Sequence, residues 1–260
     1  MNLTQSLYRA FSFVVYFFTA RRRKKSKSTF VQKFIDEVIR PDGIDVSEYS
    51  GINSYRKRLL TDNSRYLKKD FGSGKSRSVV TAKEAASSSI STKYGELLSR
   101  ICQFQKPKKL LELGTCLGVS SLYITHGSNG AELVSLEGCK ETFAKRADNM
   151  QREFEGKPIE NIDFMNSNFD SYLQNYIGRF DTIFIDGNHT YKATLSYFER
   201  FWWRLPHDGL LIFDDIHWSY GMNKAWKEIK NRPDMISMDL YQFGLCFKRK
   251  SRRGDYTFYV

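Results

Sequence analysis

The sequence predicts an α/β fold with a mostly parallel sheet, occupying residues 109–260. Three observations carry this. Short apolar runs alternate with amphipathic stretches from residue 109 onward, a glycine-punctuated turn follows the first run, and acidic residues close the later runs. Strands that alternate with helices imply right-handed crossovers and hence parallel neighbours.

The elements follow in order. The run at 110–113 is a buried strand, followed by the glycine turn and a helix from about Val119. A second strand at 131–136 precedes a charged helix at 140–155, and a third at 162–165 precedes a helix at 169–177. A fourth at 181–185 leads to a helix at 191–205. There Phe198, Phe201, Trp202 and Leu205 recur at helical spacing and read as core. A fifth strand at 209–213 leads to a helix at 221–231, and strand-like runs within 235–249 and 256–260 end the pattern. Ahead of this region, 29–40 and 82–103 read as amphipathic helices, while apolar residues in 47–70 are too scattered to assign. The chain thus divides into a basic N-terminal segment (1–28), a mainly helical extension or lid (29–108) and the α/β domain (109–260).

Apolar content of 41% and aromatic content of 15% supply a sizeable core and exclude a disordered chain. The formal charge of +12 is unevenly placed. Residues 1–109 hold 23 Lys and Arg against 9 Asp and Glu, whereas residues 110–260 hold 18 against 20. The four cysteines show no C-x-x-C pair, and neither they nor the four histidines have zinc-ligand spacing. Reduced thiols and a cytoplasmic location are the expectation.

Residues 11–18 are nearly all apolar, and five cations follow at 21–25. The run is too short to span a bilayer and lacks a signal-peptide cleavage site. Two readings stand. A helix over 2–19 lies in the interface of an anionic membrane as a peripheral contact, or it packs on the catalytic domain or a second subunit. Gly72-Ser73-Gly74-Lys75-Ser76 imitates a phosphate-binding loop. Lys69 stands where the pattern needs glycine, and no buried strand precedes it, so it reads as a basic loop.

In such sheets ligands bind beyond the carboxyl ends of the strands. The first such loop is Glu112-Leu113-Gly114-Thr115-Cys116-Leu117-Gly118-Val119-Ser120. Its G-x-x-x-G spacing differs from the G-x-G-x-x-G of dinucleotide folds, which disfavours an NAD-dependent oxidoreductase. Glu137 ends the second strand, 19 residues after Gly118, where an acid accepts from ribose hydroxyls.

With these residues the sequence resembles the class I S-adenosylmethionine-dependent methyltransferase superfamily. The resemblance implies a Rossmann-like, seven-stranded sheet with an antiparallel last strand. It implies S-adenosyl-L-methionine as cofactor, with Glu112, Gly114, Thr115, Gly118 and Ser120 around its methionine part, Glu137 on the ribose and Asn168 near the adenine. The loops Asp186-Gly187-Asn188-His189 and Asp214-Asp215-Ile216-His217-Trp218 resemble those of the cation-dependent O-methyltransferases of the catechol and caffeoyl-coenzyme A type. By that resemblance Asp186, Asp214 and Asp215 would hold Mg²⁺. Hard carboxylate oxygens suit such an ion, and three convergent carboxylates need neutralising. Asp215 stands where that group has asparagine, and His189 where it has the basic lysine.

The expected activity is O-methylation of a small or medium-sized hydroxylated substrate. His189 is the general base, an imidazole titrating near working pH, and Asp186 assists it and the cofactor. His217 is a weaker candidate base, Trp218 a cover for the pocket, and His126 and His207 have no role. The architecture admits a homodimer. Two rival functions are a nucleic-acid methyltransferase and a non-catalytic cofactor-binding scaffold at a membrane. The fourth loop lacks a base-flipping motif and no RNA-binding module is legible, which argues against nucleic acid; the retained acids and His189 argue against the scaffold.

Overall fold

The computed structural model describes residues 3–20, 26–69, 77–154, 159–175, 178–249 and 254–260. The basic run at 21–25 and the 72–76 stretch lie outside the described residues. In chain order, α1 (Leu3–Thr19) is followed by α2 (Thr29–Phe34), which passes into a π-helical turn at Ile35–Ile39. A 3-10 turn at Val46–Tyr49 leads to α3 (Ser50–Leu59), the strands β1 (Arg65–Lys68) and β2 (Ser78–Thr81), then α4 (Ala82–Ser87) and α5 (Thr92–Gln105). The alternating region then runs β3 (Lys109–Leu113), α6 (Val119–Ser128), β4 (Glu132–Glu137), α7 (Lys140–Glu153), β5 (Ile162–Asn166) and α8 (Phe169–Asn175). It continues through β6 (Thr182–Ile185), α9 (Tyr191–Trp202), β7 (Leu210–Phe213), α10 (Tyr220–Lys230), β8 (Met235–Asp239), β9 (Gly244–Lys248) and β10 (Gly254–Thr257). Two compact units result, Asp36–Gly178 and Met1–Ile35 with Arg179–Val260.

In the 36–178 unit, β4 lies between β3 and β5 and is parallel to both, with Leu111 opposite Val134 and Leu136 opposite Met165. Leu110, Leu111 and Leu113 are buried, as a continuous apolar run in a parallel sheet requires. The helices α5 and α6 cross at glycines. A Cβ on Gly95 would lie 2.2 Å from the Tyr123 ring, and one on Gly127 2.0 Å from the Ser99 carbonyl oxygen. The 82–103 stretch, expected as one helix, is two. Thr81 and Glu84 form a reciprocal capping box that starts α4. The Ser88 and Ser89 hydroxyls then donate back to the Ala85 and Ala86 carbonyls, and the helix ends there. The unassigned 47–70 stretch contains α3, whose Tyr55 and Leu59, four residues apart, are fully buried. Arg58 holds α3 to α7 through Glu153 at 2.5 Å and the Asn149 carbonyl at 2.8 Å. Preceding the 72–76 stretch, β1 pairs antiparallel with β2, and its residues are exposed or half-buried.

In the other unit the strand order is β10-β8-β9-β7-β6. Strands β6 and β7 are parallel, β9 is antiparallel to both β7 and β8, and β10 is parallel to β8. Among the described residues this unit holds five strands and the other three besides the β1–β2 pair, where seven in all are expected. The 235–249 run breaks at a tight turn, closed by the Leu240 amide on the Phe243 carbonyl at 2.9 Å, into two strands. The antiparallel strand is therefore the penultimate one. Phe198, Phe201, Trp202 and Leu205 are buried, as their spacing predicts. No disulfide joins the four cysteines. Among the described residues no helix is long and apolar enough to cross a membrane.

Candidate functional site

The turn between β3 and α6 is built by backbone conformation. Gly114 has φ 113° and Gly118 φ 81°, and Cys116 between them is also left-handed at φ 48°. Glycine adopts such angles without the Cβ penalty. A Cβ at Gly118 would also lie 2.1 Å from the Met150 methyl, which would have to shift. The turn is tied to β4 by the Gly114 and Thr115 amides, which donate to the Leu136 carbonyl at 3.0 and 3.1 Å. On the α3 side, the buried Tyr55 hydroxyl donates to the Leu117 carbonyl at 2.8 Å.

Glu137, at the end of β4, joins two loops. One carboxylate oxygen accepts from the Cys116 amide at 2.9 Å and the other from the Cys139 amide at 2.8 Å. These two bonds orient the carboxylate. Asn168 is exposed at the start of α8, where its side-chain oxygen accepts from the Ser171 amide at 2.8 Å. Nearby, Arg146 is buried with its guanidinium 3.8 Å from the Phe164 ring centroid. Its Nε and the Asn149 side-chain oxygen have no hydrogen-bond partner.

Beneath the turn lies a closed polar network. Glu112 is fully buried, and the Ser120 and Ser135 hydroxyls donate to its carboxylate at 2.5 Å each, with Ser121 as a third donor. The Thr115 hydroxyl meets Ser135 at 2.6 Å. The side chains of Glu112, Thr115 and Ser120 are thus spent on one another, and what this segment presents outward is backbone.

The second group of expected residues belongs to the other unit. Asp186 follows β6 and Asp214 follows β7, with the Asp214 amide extending the ladder to the Ile185 carbonyl at 3.0 Å. His189 Nε2 lies 3.3 Å from Asp186 Oδ1. Asp215 is left-handed at φ 56° and donates its amide to the Asp214 carboxylate at 2.9 Å. The side-chain amide of Gln242, from the β8–β9 turn, donates to Asp214 at 2.7 Å and to Asp215 at 2.9 Å.

Burial pushes the Asp214 carboxyl well above the ordinary carboxylate range, and the charges of Asp215 and Asp186 push it further. Asp215 is also raised by burial, against the opposing pull of His189 and Arg9. For His189, burial disfavours the cation, but the hydrogen bond and charge of Asp186, with Asp215 behind it, outweigh that and raise its pKa. The surroundings therefore favour the protonated form of Asp214 and the protonated form of His189.

The expected metal set does not assemble. Among the described residues no three carboxylate, imidazole or thiolate groups form a cluster that could hold a metal ion. Between Asp214 and Asp215, where a cation would neutralise them, the Gln242 side-chain amide donates to both. Mg²⁺ does not fit this arrangement. The glycine turn, with its outward backbone and the oriented Glu137 carboxylate, does fit a ribose-bearing cofactor.

His217 is engaged elsewhere. It meets Ser12 of α1 at 2.7 Å and Asp239 at 2.9 Å, and it stacks on Tyr241. The Arg9 guanidinium lies 4.4 Å over the Trp218 ring. Neither Asp214 nor Asp215 caps α10, because the Ser219 hydroxyl does so. Sequence reasoning missed Gln242 and Arg9, which carry no motif and reach the cluster from distant positions.

Residues 111–216 match a family model described as a methyltransferase domain. No curated protein matches the chain. Three solved structures are similar to it. The SAH-bound methyltransferase PaMTH1 of Podospora anserina is 17% identical, with 90% of this chain and 100% of that one covered at a TM-score of 0.58. The O-methyltransferase of Bacillus cereus in complex with SAH is also 17% identical, with coverage of 85% and 97% and a TM-score of 0.55. The O-methyltransferase TomG of Streptomyces achromogenes, in complex with SAM, is 15% identical, with coverage of 80% and 100% and a TM-score of 0.51. At these identities the likeness establishes the fold, which is the Rossmann-like methyltransferase fold.

Proposed function

We propose that the chain is an S-adenosylmethionine-dependent methyltransferase that methylates a hydroxyl oxygen of a small or medium-sized molecule. The observation that carries this reading is Glu137, a carboxylate fixed by the Cys116 and Cys139 amides beside the glycine turn. A carboxylate at the end of this strand is placed to accept from the two hydroxyls of a ribose. Gly114 and Gly118 let the turn approach the methionine part, and Asn168 lies near the adenine. Glu112, Thr115 and Ser120 act from below by fixing the backbone of the turn.

The cofactor, when bound, supplies an electrophilic methyl group on sulfonium. His189 would be the base that takes the proton of the substrate hydroxyl. Asp186 orients the imidazole and stabilises the imidazolium that forms. Burial and the neighbouring carboxylates raise Asp214, which disfavours a second negative charge beside the base. Methyl transfer is an in-line displacement, so holding the reactants in line supplies much of the rate.

The test is isothermal titration of the full chain with S-adenosylhomocysteine. Binding in the micromolar range is expected, and Glu137→Ala weakens it by about tenfold or more through two lost hydroxyl contacts. A folded sample that binds no S-adenosylhomocysteine overturns the reading, and an unchanged affinity in the variant removes Glu137 from it.

A further inference from the structure

Helix α1 is apolar on nearly every side, yet only one side is covered. A helix that is hydrophobic all round is ordinarily buried. Here Ser12 and Tyr16, four residues apart, are buried against the C-terminal part of the same unit. Tyr16 donates to the Phe258 carbonyl and packs 5.0 Å from the Tyr241 ring. Ser12 meets His217 at 2.7 Å, and His217 is held by Asp239. These contacts fix the rotation of α1 about its axis.

That rotation sets the opposite face outward. Leu7 is 64% exposed, Phe11 68%, Val14 50%, Val15 44% and Phe18 80%. They recur at spacings of three and four, so they form one stripe along the helix. Isolated apolar residues on a surface need no explanation, but a continuous stripe rich in phenylalanine does. The helix spans 17 residues, about 26 Å, which is too short to cross a bilayer.

The sequence supplies the matching charge. Arg21-Arg22-Arg23-Lys24-Lys25 follows directly, and Lys27 adds a sixth cation. α1 carries no acidic residue. An apolar helical face continued by a polybasic run is complementary to acyl chains beneath anionic headgroups. A second protein copy would match the stripe but leave the cation run without a counter-charge.

We infer that α1 seats the protein on anionic membrane surfaces. The Leu7–Phe11–Val14–Phe18 stripe enters the headgroup–acyl boundary, and the cationic sequence that follows it matches the charge of an anionic surface. The buried Ser12–Tyr16 face keeps the enzyme attached to this anchor. This inference is independent of the cofactor reading, because vesicle binding needs no cofactor.

The test is sedimentation of the full chain with phosphatidylcholine vesicles, with and without phosphatidylserine. Binding is expected with phosphatidylserine, weaker with phosphatidylcholine alone, and reduced by raised salt. Phe11→Ser with Phe18→Ser alters only exposed side chains, so thermal unfolding is unchanged while vesicle affinity falls by about a hundredfold. No binding by the wild type, or full binding by the double variant, overturns the inference. A dimer in solution that the same two substitutions dissolve also overturns it, since a second copy then covers the stripe.

Discussion

Two buried carboxyl groups, one in each unit, have opposite surroundings. Glu112 in β3 is fully buried and receives three serine hydroxyls. Asp214 after β7 is nearly as buried, but its neighbours include two further carboxylates, and its donors among the described residues are the Gln242 amide and the Asp215 backbone. Burial is common to both, so the partners make the difference. A carboxylate met by several donors is an anchor, whereas one crowded by like charge retains a proton. The first arrangement makes a rigid floor for the glycine turn. The second stores protonation beside a histidine and suits chemistry.

The largest expected effect tests the chemical half of this contrast. Once an acceptor substrate is found, His189→Ala lowers kcat by about a hundredfold or more, with S-adenosylhomocysteine affinity retained. A rate within a few fold of wild type would assign the base elsewhere. Next comes the anchor. Glu112→Ala strands three buried hydroxyls and opens a cavity, costing about 3 kcal/mol of stability. Glu112→Gln keeps volume and most acceptor capacity and costs about 1 kcal/mol. Equal denaturation midpoints for the two would show that the hydroxyl network contributes nothing.

A smaller effect concerns pH. Because His189 is raised and must be neutral to act as base, activity climbs as pH rises through its elevated pKa. Asp186→Asn removes the main group that raises it, so the acidic limb of the profile moves to lower pH. A limb that stays in place, or moves upward, contradicts the pairing. The smallest effect is on Asp214. Its folded pKa is raised, so its contribution to stability is full below the unfolded value and is lost as pH rises through the folded one. Asp214→Asn relieves that loss and raises Tm by about 3 °C at neutral or alkaline pH, with no gain in acid. A destabilised variant would mean that the ionised form is the one held.

Much of the α/β region was legible because local pattern and final structure agree. Four-residue apolar runs such as 182–185 and 210–213 are buried over their whole length, and α9 buries the stripe its period predicts. The N-terminal part was less legible. α3 has only Tyr55 and Leu59 as its buried pair, too few to produce a visible period among six polar neighbours. The serines that end α4 lie within a stretch whose composition suits a helix. In the candidate site, positions could be read from the glycine turn and the strand ends, but partners could not.

The sequence by itself determined the alternation of strands and helices, the glycine turn, the acid at the end of β4 and the acids after β6 and β7. These are set by hydrophobic period and by backbone conformations that few residues allow. Only the tertiary structure decided which groups meet those acids. Ser135 reaches Glu112 from 23 positions away, and Gln242 reaches Asp214 from 28. It also decided that α1 turns Tyr16 inward and Phe18 outward. The physical reason is range. Backbone preference acts within a few residues, whereas desolvation and hydrogen bonding act on whatever the folded chain brings alongside.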